Sequence, residues 1–369
     1  MKKKTQKSNS YYYASQWQLM FQKFRKHKLA VAGGILLIVF YFFVIFANFF
    51  APQGMEQYNG EYSNCGPTAI HFFHEGKWEG PFVYGLKRER DPETFMNIFT
   101  EDTENIYHIK FFTEGDPGGE YKILGLIPCN IHFFEAEGDG EVFLFGTDTM
   151  GRDLFSRVLL GAQISMFIPV VGMLLTVALG LLMGSLAGYF GGWVDNVIQR
   201  LIEVVRSFPN VPLWMALSAA LPPTLKPAQI FMLMTIILSL ISWPNLARVV
   251  RSKFISIKKE DFIMAARISG TPAWAIVIKH MIPSFLSYII INMTLTIPSL
   301  IVGETTLSFL GLGLRSPATS WGVLLQETNK LETIMFYGWK LIPMVFVFLT
   351  VLAFNFLGDG LRDAADPYK

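Results

Sequence analysis

The chain has 369 residues, 51% hydrophobic and only 16% charged, with a formal net charge of +2. Soluble domains carry about 25% charged residues, so this composition excludes a disordered chain, a charge-rich coiled coil and a basic nucleic-acid binder. Two cysteines exclude a disulfide-dense scaffold and a four-cysteine zinc site.

A membrane helix needs about 20 largely apolar residues. Six long windows are free of Asp, Glu, Lys and Arg: 29–55, 158–194, 207–225, 227–247, 280–303 and 341–358. The first holds a run rich in Leu, Ile, Val and Phe, too long for the apolar part of a cleaved signal peptide. The second has room for a span and a turn marked by Gly188, Gly191 and Gly192. The third is interrupted by Pro209, Pro212, Pro222 and Pro223, which suits a helix held inside a bundle. The expected fold is an all-α polytopic membrane protein with six transmembrane helices. It carries a small, mostly β extracytoplasmic insert between spans 1 and 2. The expected divisions are a basic tail (1–28), a first transmembrane helix (29–51), the insert (52–157) and a five-span core (158–369).

Basic residues set the orientation. The first 28 residues hold eight Lys and Arg and no acid, which places them in the cytoplasm. Six spans then return the C-terminus to the cytoplasm. The loop 248–283 is basic and also falls inside. The segment 56–152 falls outside and carries 18 Asp and Glu against 7 Lys and Arg.

Within the insert, 121–128 and 141–146 read as short strands, with a turn at 116–119. Cys65 and Cys129 share the oxidising side, so they form a disulfide or remain two separate thiols. His71, His74 and Glu75 have helical spacing, but two histidines alone do not close a metal site, and no metal is assigned.

The segment 258–283 reads as a helix, a sharp turn and a second helix. Glu260 and Asp261 suit the positive end of the first helix, and Gly270 suits its C-terminal stop. Thr271 and Pro272 open the second helix, and Pro283 ends it at the fifth span. The small residues Ala265, Ala266 and Gly270 let another surface approach closely, as in helix-in-groove docking. A helix lying on the lipid surface is the competing reading. Glu304, at the end of the fifth window, is an ionisable residue at membrane depth or an interfacial carboxylate. Asn292 and Asn355 line a pore or bond between helices. The chain has no phosphate-binding G-x-x-x-x-G-K-[ST] loop and no compact catalytic triad.

Met264-Ala265-Ala266, Gly270 and Ile282-Pro283 resemble the EAA loop of ABC-importer permeases, with Met264 replacing the Glu, His280 an Ile and Ile282 a Leu. The stretches 146–153 (GTDTMGRD), 187–195 (AGYFGGWVD), 307–313, 317–322 and 352–367 are similar to further motifs of the oligopeptide and dipeptide branch, C-type. The resemblance covers 146–369, and the tail and first span more weakly. It implies a non-enzymatic permease subunit in the bacterial inner membrane, forming half of a peptide pore. It also implies a homologous second permease, two ABC ATPases that bind ATP and Mg, an extracytoplasmic substrate-binding protein and surrounding lipid as partners. The implied coupling residues are Glu260, Asp261, Met264, Ala265, Ala266, Gly270 and Pro283. Nickel or another small solute is the alternative cargo within the resemblance. A receptor-like protein using the external insert is the alternative outside it.

Overall fold

The computed structural model describes residues 16–93, 95–114, 121–123, 127–222, 224–314 and 318–365. The basic residues at 2–7, the turn expected at 116–119, Pro223, Pro317 and the end of the C-terminal motif lie outside them. The helices are α1 (Gln16–Lys26), α2 (Lys28–Ile45) and α3 (Ala47–Phe50), then α4 (Leu154–Phe190), α5 (Gly192–Arg206) and α6 (Asn210–Ala219). There follow α7 (Pro227–Ile257), α8 (Asp261–Ile268), α9 (Ala273–Phe309), α10 (Trp321–Gln326), α11 (Leu331–Phe336) and α12 (Ile342–Ala365). Five of them, α2, α4, α7, α9 and α12, are long and apolar enough to cross a membrane.

Among the described residues, the window 207–225 yields no sixth such helix. It contains α6, with 10 residues, about 15 Å long at 1.5 Å per residue. Pro209 stands at its N-cap, and a proline supplies no N–H to continue the helix from α5. Contrary to the expectation of a helix held inside the bundle, the segment packs along one side only, with Trp214 and Ser218 buried and Val211 and Leu217 exposed.

The bundle is organised by a row of glycines on α4. A methyl group added at Gly180 would stand 2.9 Å from Leu246, one at Gly184 2.6 Å from the Val250 Cβ, and one at Gly188 2.5 Å from the Phe254 Cβ. Both rows advance by four residues, so they lie along one face of each helix and bring α4 and α7 into backbone proximity. Further along the seam Ser239 donates to the Gly172 carbonyl at 3.0 Å. Gly188 thus belongs to the helix, and the turn expected around it falls at Gly191 and Gly192, both with positive φ. The main core gathers Met173, Val177, Leu238, Val250, Phe254 and Leu300 from α4, α7 and α9. At the chain's start, His27 separates α1 from α2 and accepts from the Ala30 N–H at 3.1 Å through Nδ1. α2 packs on α12, where Gly33 lies against the Ala353 carbonyl.

Between α3 and α4 the chain forms β1 (His71–His74), β2 (Lys77–Arg90), β3 (Asn97–Glu114), β4 (Tyr121–Ile123), β5 (Ile127–Cys129) and β6 (Ile131–Ala136). An antiparallel sheet has the order β1-β2-β3-β6, and β4 and β5 pair separately. The single strand expected at 121–128 is therefore a hairpin. The segment 141–146 is not a strand at all. Val142 and Phe143 are buried plugs, and Phe143 exchanges bonds with Thr68 instead of joining the sheet. His71 and His74 lie on a strand, bonded to Glu101 and Tyr84. Among the described residues no cluster of metal-ligating side chains occurs.

Cys65 and Cys129 are free thiols, so the disulfide alternative is not realised. Cys65 is buried at the turn before α4, where its N–H donates to Thr147. Cys129 lies on the β5 strand of the separate hairpin. Burial pushes the Cys65 thiol up to about 12.

Replacing Gly184 with Leu is expected to cost about 1–3 kcal/mol or more by overpacking and to lower the heat-denaturation midpoint of the purified chain. An unchanged midpoint would mean that α4 and α7 are not held by this seam.

Candidate functional site

α8 is a short helix standing on the end of the bundle. Glu260 is its N-cap and Asp261 occupies the first turn, as the sequence suggests. Only one of its side chains is deeply anchored: Ile263 is fully buried in the main core. Burying an isoleucine contributes about 1.5–3 kcal/mol. The rest of the helix faces outward, with Phe262 and Met264 exposed and Ile268 88% exposed. Ala265 is also exposed and Ala266 half-buried.

The helix ends where predicted. Gly270 has φ +75°, a left-handed conformation that glycine adopts without steric cost. The Thr271 N–H donates to the Ala266 carbonyl at 3.1 Å, closing the last turn. A Cβ at Gly270 would meet no atom within 4 Å, so φ and not space requires glycine here.

The second helix departs from expectation at both ends. Pro272 is the N-cap and Thr271 makes no cap. Pro283 does not end the helix. Ile276–Met281 widens into a π-turn and Ile282–Phe285 tightens into a 3₁₀ turn, so the helix continues to Phe309. A π-turn changes the hydrogen-bond spacing locally, and here it accommodates the proline's missing donor.

The base of α8 is fastened to the α4–α5 turn. Arg251 of α7 makes a bidentate pair with Asp195, both bonds 2.5 Å. Lys258 donates to the Tyr189 carbonyl at 2.7 Å, and the Arg267 guanidinium lies 5.1 Å from the Tyr189 ring centre. Between the turn and α8 is a cleft of about 480 Å³, lined in part by Asp195, Lys258, Lys259, Met264 and Arg267. Sequence reading singled out both segments but not this junction between them.

The other expected residues lie apart from α8. Glu304 is at the far end of α9, 1% exposed, and accepts from Ser308 at 2.8 Å. It is enclosed under α10, where Gly322 lies against Ser308 and Thr305. Asn292 donates to the Tyr288 carbonyl of its own helix, and Asn355 is half-buried on α12.

A buried ionic network at the same end has no counterpart in the sequence reading. Asp148 is 1% exposed and pairs with Arg152 at 2.6 Å and with Arg157. Arg157 also reaches Thr319. Lys340 bonds Asn64 at 2.7 Å and Glu327 at 3.2 Å. The base of the insert, the start of α4, the α10 segment and the entry to α12 are thus tied by charge. Removing one partner of such a pair leaves an uncompensated buried charge and costs about 3–5 kcal/mol. Arg157→Leu is expected to lose stability of this order in thermal unfolding. Arg157→Lys, which keeps the charge and leaves the Asp148–Arg152 pair in place, should retain part of it. A loss as large in Arg157→Lys as in Arg157→Leu would mean that Arg157 acts by packing and not by charge.

The comparisons with known proteins agree with this architecture. A family model for binding-protein-dependent transport system inner membrane components matches residues 180–368. A second, for the N-terminal TM domain of oligopeptide transport permease C, matches residues 15–67. The dipeptide transport system permease protein DppC of Bacillus subtilis is 39% identical over 225 residues, 60% of this chain and 68% of the relative. The oligopeptide transport system permease protein OppC of Escherichia coli K12 is 41% identical, covering 60% of this chain and 72% of the relative. The glutathione transport system permease protein GsiD of Pectobacterium atrosepticum is 36% identical, covering 63% and 74%. This chain belongs to the binding-protein-dependent transport inner membrane component family, in its C-type oligopeptide and dipeptide branch, and is a membrane permease subunit of an ABC importer.

Proposed function

We propose that this chain forms half of a peptide-conducting pore and that α8 is the helix through which ATPase subunits drive it. The observation that carries the proposal is the presentation of α8. It has one fully buried side chain, Ile263, exposes Phe262, Met264 and Ile268, and ends at a left-handed Gly270. An apolar short helix of this kind suits a groove on a partner. Glu260, Asp261, Met264, Ala265, Ala266 and Gly270 belong to the docking element. Pro283 belongs to the stem behind it.

The partners in this reading are a second homologous permease, two cytoplasmic ATPases that hold ATP and Mg, and an extracytoplasmic substrate-binding protein. Neither ATP nor Mg is bound by this chain. The cargo reading follows the relatives, named for dipeptide, oligopeptide and glutathione transport. Glutathione is itself a small peptide, so these names favour peptides over nickel.

The membrane path has six crossings, with the third made by α5 and α6 together across the break at Pro209. The N- and C-termini and α8 lie in the cytoplasm, and the sheet lies outside. Eight basic residues before the first span support this orientation. Glu304, Asn292 and Asn355 are the polar residues proposed for the conducting helices. Glu304, under α10, is proposed to hold the outer gate closed and not to touch cargo.

Mechanically, the ATPase pair must bind α8 differently in its open and closed states, because only differential affinity shifts a two-state equilibrium. The Asp195–Arg251 pair and the Tyr189 contacts make α8 move with the α4–α5 turn. The continuous helix α9 carries the motion toward Glu304 and α10.

The test is transport by the reconstituted complex. Gly270→Asp imposes a side chain on a left-handed residue and adds charge to the docking face. It is expected to abolish peptide uptake while the permeases still assemble. Ile268→Asp, which leaves the fold untouched, is expected to weaken recovery of the ATPases in mild detergent by about tenfold or more, as loss of about 1.4 kcal/mol or more dictates. Full uptake and full ATPase recovery in both variants would exclude α8 as the coupling element.

A further inference from the structure

We infer that the near edge of the sheet is itself a membrane-binding surface, with Phe111 and Phe112 seated in the bilayer interface on the insert's side. The inference goes beyond the transport reading and needs no partner subunit.

It starts at α2, a membrane-crossing helix with little of its surface covered by protein. Phe42 and Phe43 on α2 are exposed. From there an unbroken series of ring contacts leaves the helix. Phe43 meets Phe50 at 4.9 Å, Phe50 meets Phe133 of β6 at 5.3 Å, and Phe133 meets Phe111 at 5.6 Å and Phe112 at 5.7 Å. The exposed aromatic surface of the span is therefore continuous with the sheet. At its end Phe111 is 50% and Phe112 66% exposed.

Two features say that this exposure is built. Phe112 has φ +57° inside a long strand, a conformation uncommon for any residue but glycine and an outlier for a bulky one. It falls between the ladder partners Phe111–Phe134 and Thr113–His132, in otherwise constant register. The strand thus departs from regular geometry at the residue that is most exposed in the ring series. Second, Phe134, next to Phe133 on β6, is buried with Val83 and Ile109, so the sheet has its own core and does not need the outer rings for it. Apolar patches on the surface mark interaction sites, and aromatic rings are favoured at the membrane–water boundary. Lipid is the occupant chosen here because the patch begins on the uncovered surface of a helix long and apolar enough to cross a membrane. Lys110, beside it, is paired with Glu137 at 2.6 Å and has a stem long enough to keep its charge at the headgroups.

The experiment uses the full chain in lipid nanodiscs, carrying Cys129→Ser so that the buried Cys65 is the only native thiol left. Spin labels are placed singly at Phe112→Cys, at Phe111→Cys and, as a reference, at Phe73→Cys on β1. Accessibility to oxygen and to a water-soluble nickel chelate is then measured. The expected result is oxygen exceeding nickel severalfold at 111 and 112, with the reverse at 73. Phe111→Cys guards against misfolding at the strained position. Equal nickel accessibility at all three sites would overturn the inference. So would protection of 111 and 112 that appears only when a soluble extracytoplasmic protein is added, because the surface would then be a protein dock.

Discussion

The close approach of α4 and α7 is the constraint on which the rest of this permease depends. Glycines at three successive four-residue steps remove the side chains that would hold the two helices apart. Between membrane helices there is little hydrophobic driving force, so close packing must supply much of the association. Because the row runs to Gly188, the last turn of α4 is delivered onto Arg251 and Phe254. That contact brings Asp195 within reach of Arg251 and Tyr189 within reach of Lys258 and Arg267. The position of α8 is thus an outcome of packing set deep in the bundle.

The two ends of the bundle are held by different physics. At the α8 end, the ties are partly exposed: the side chains of Arg251 and Asp195 are 32% and 15% exposed. Water and salt can compete there, which suits an element that must move against a partner. At the insert end, Asp148, Arg157 and Lys340 are almost wholly buried. Charges in that setting tolerate no misalignment, because a displaced partner leaves an ion without solvent. The network therefore favours one fixed arrangement of the insert base, α4 and the α10 segment.

What the sequence made legible follows the range of the interactions involved. Charge-free windows located the five long helices, because each window is a local property of the chain. The end of α8 was legible for the same reason: a glycine is needed at a left-handed residue whatever surrounds it. The strands at 77–90 and 97–114 escaped notice because few of their side chains are buried, so no regular apolar alternation marks them. The apolar run at 141–146 looked like a strand, yet Val142 and Phe143 are used one by one to fill the space beside Thr68 and Phe134. Pro283 read as a stop because the local rule is sound, but a preceding π-turn absorbs its effect. The Asn64–Lys340 and Arg157–Thr319 contacts join residues far apart in the chain, and no spacing rule announces such partners.

The fastening of Tyr189 by both Lys258 and Arg267 bears on how such permeases can be recombined. The residues that present α8 are divided between two stretches of sequence, 187–195 and 251–267. A chimera that imports only the second from a relative inherits a helix without its footing. The smallest exchangeable unit is therefore discontinuous. In descent as in engineering, substitutions at the α4–α5 turn are under the same constraint as those in the loop that meets the partner.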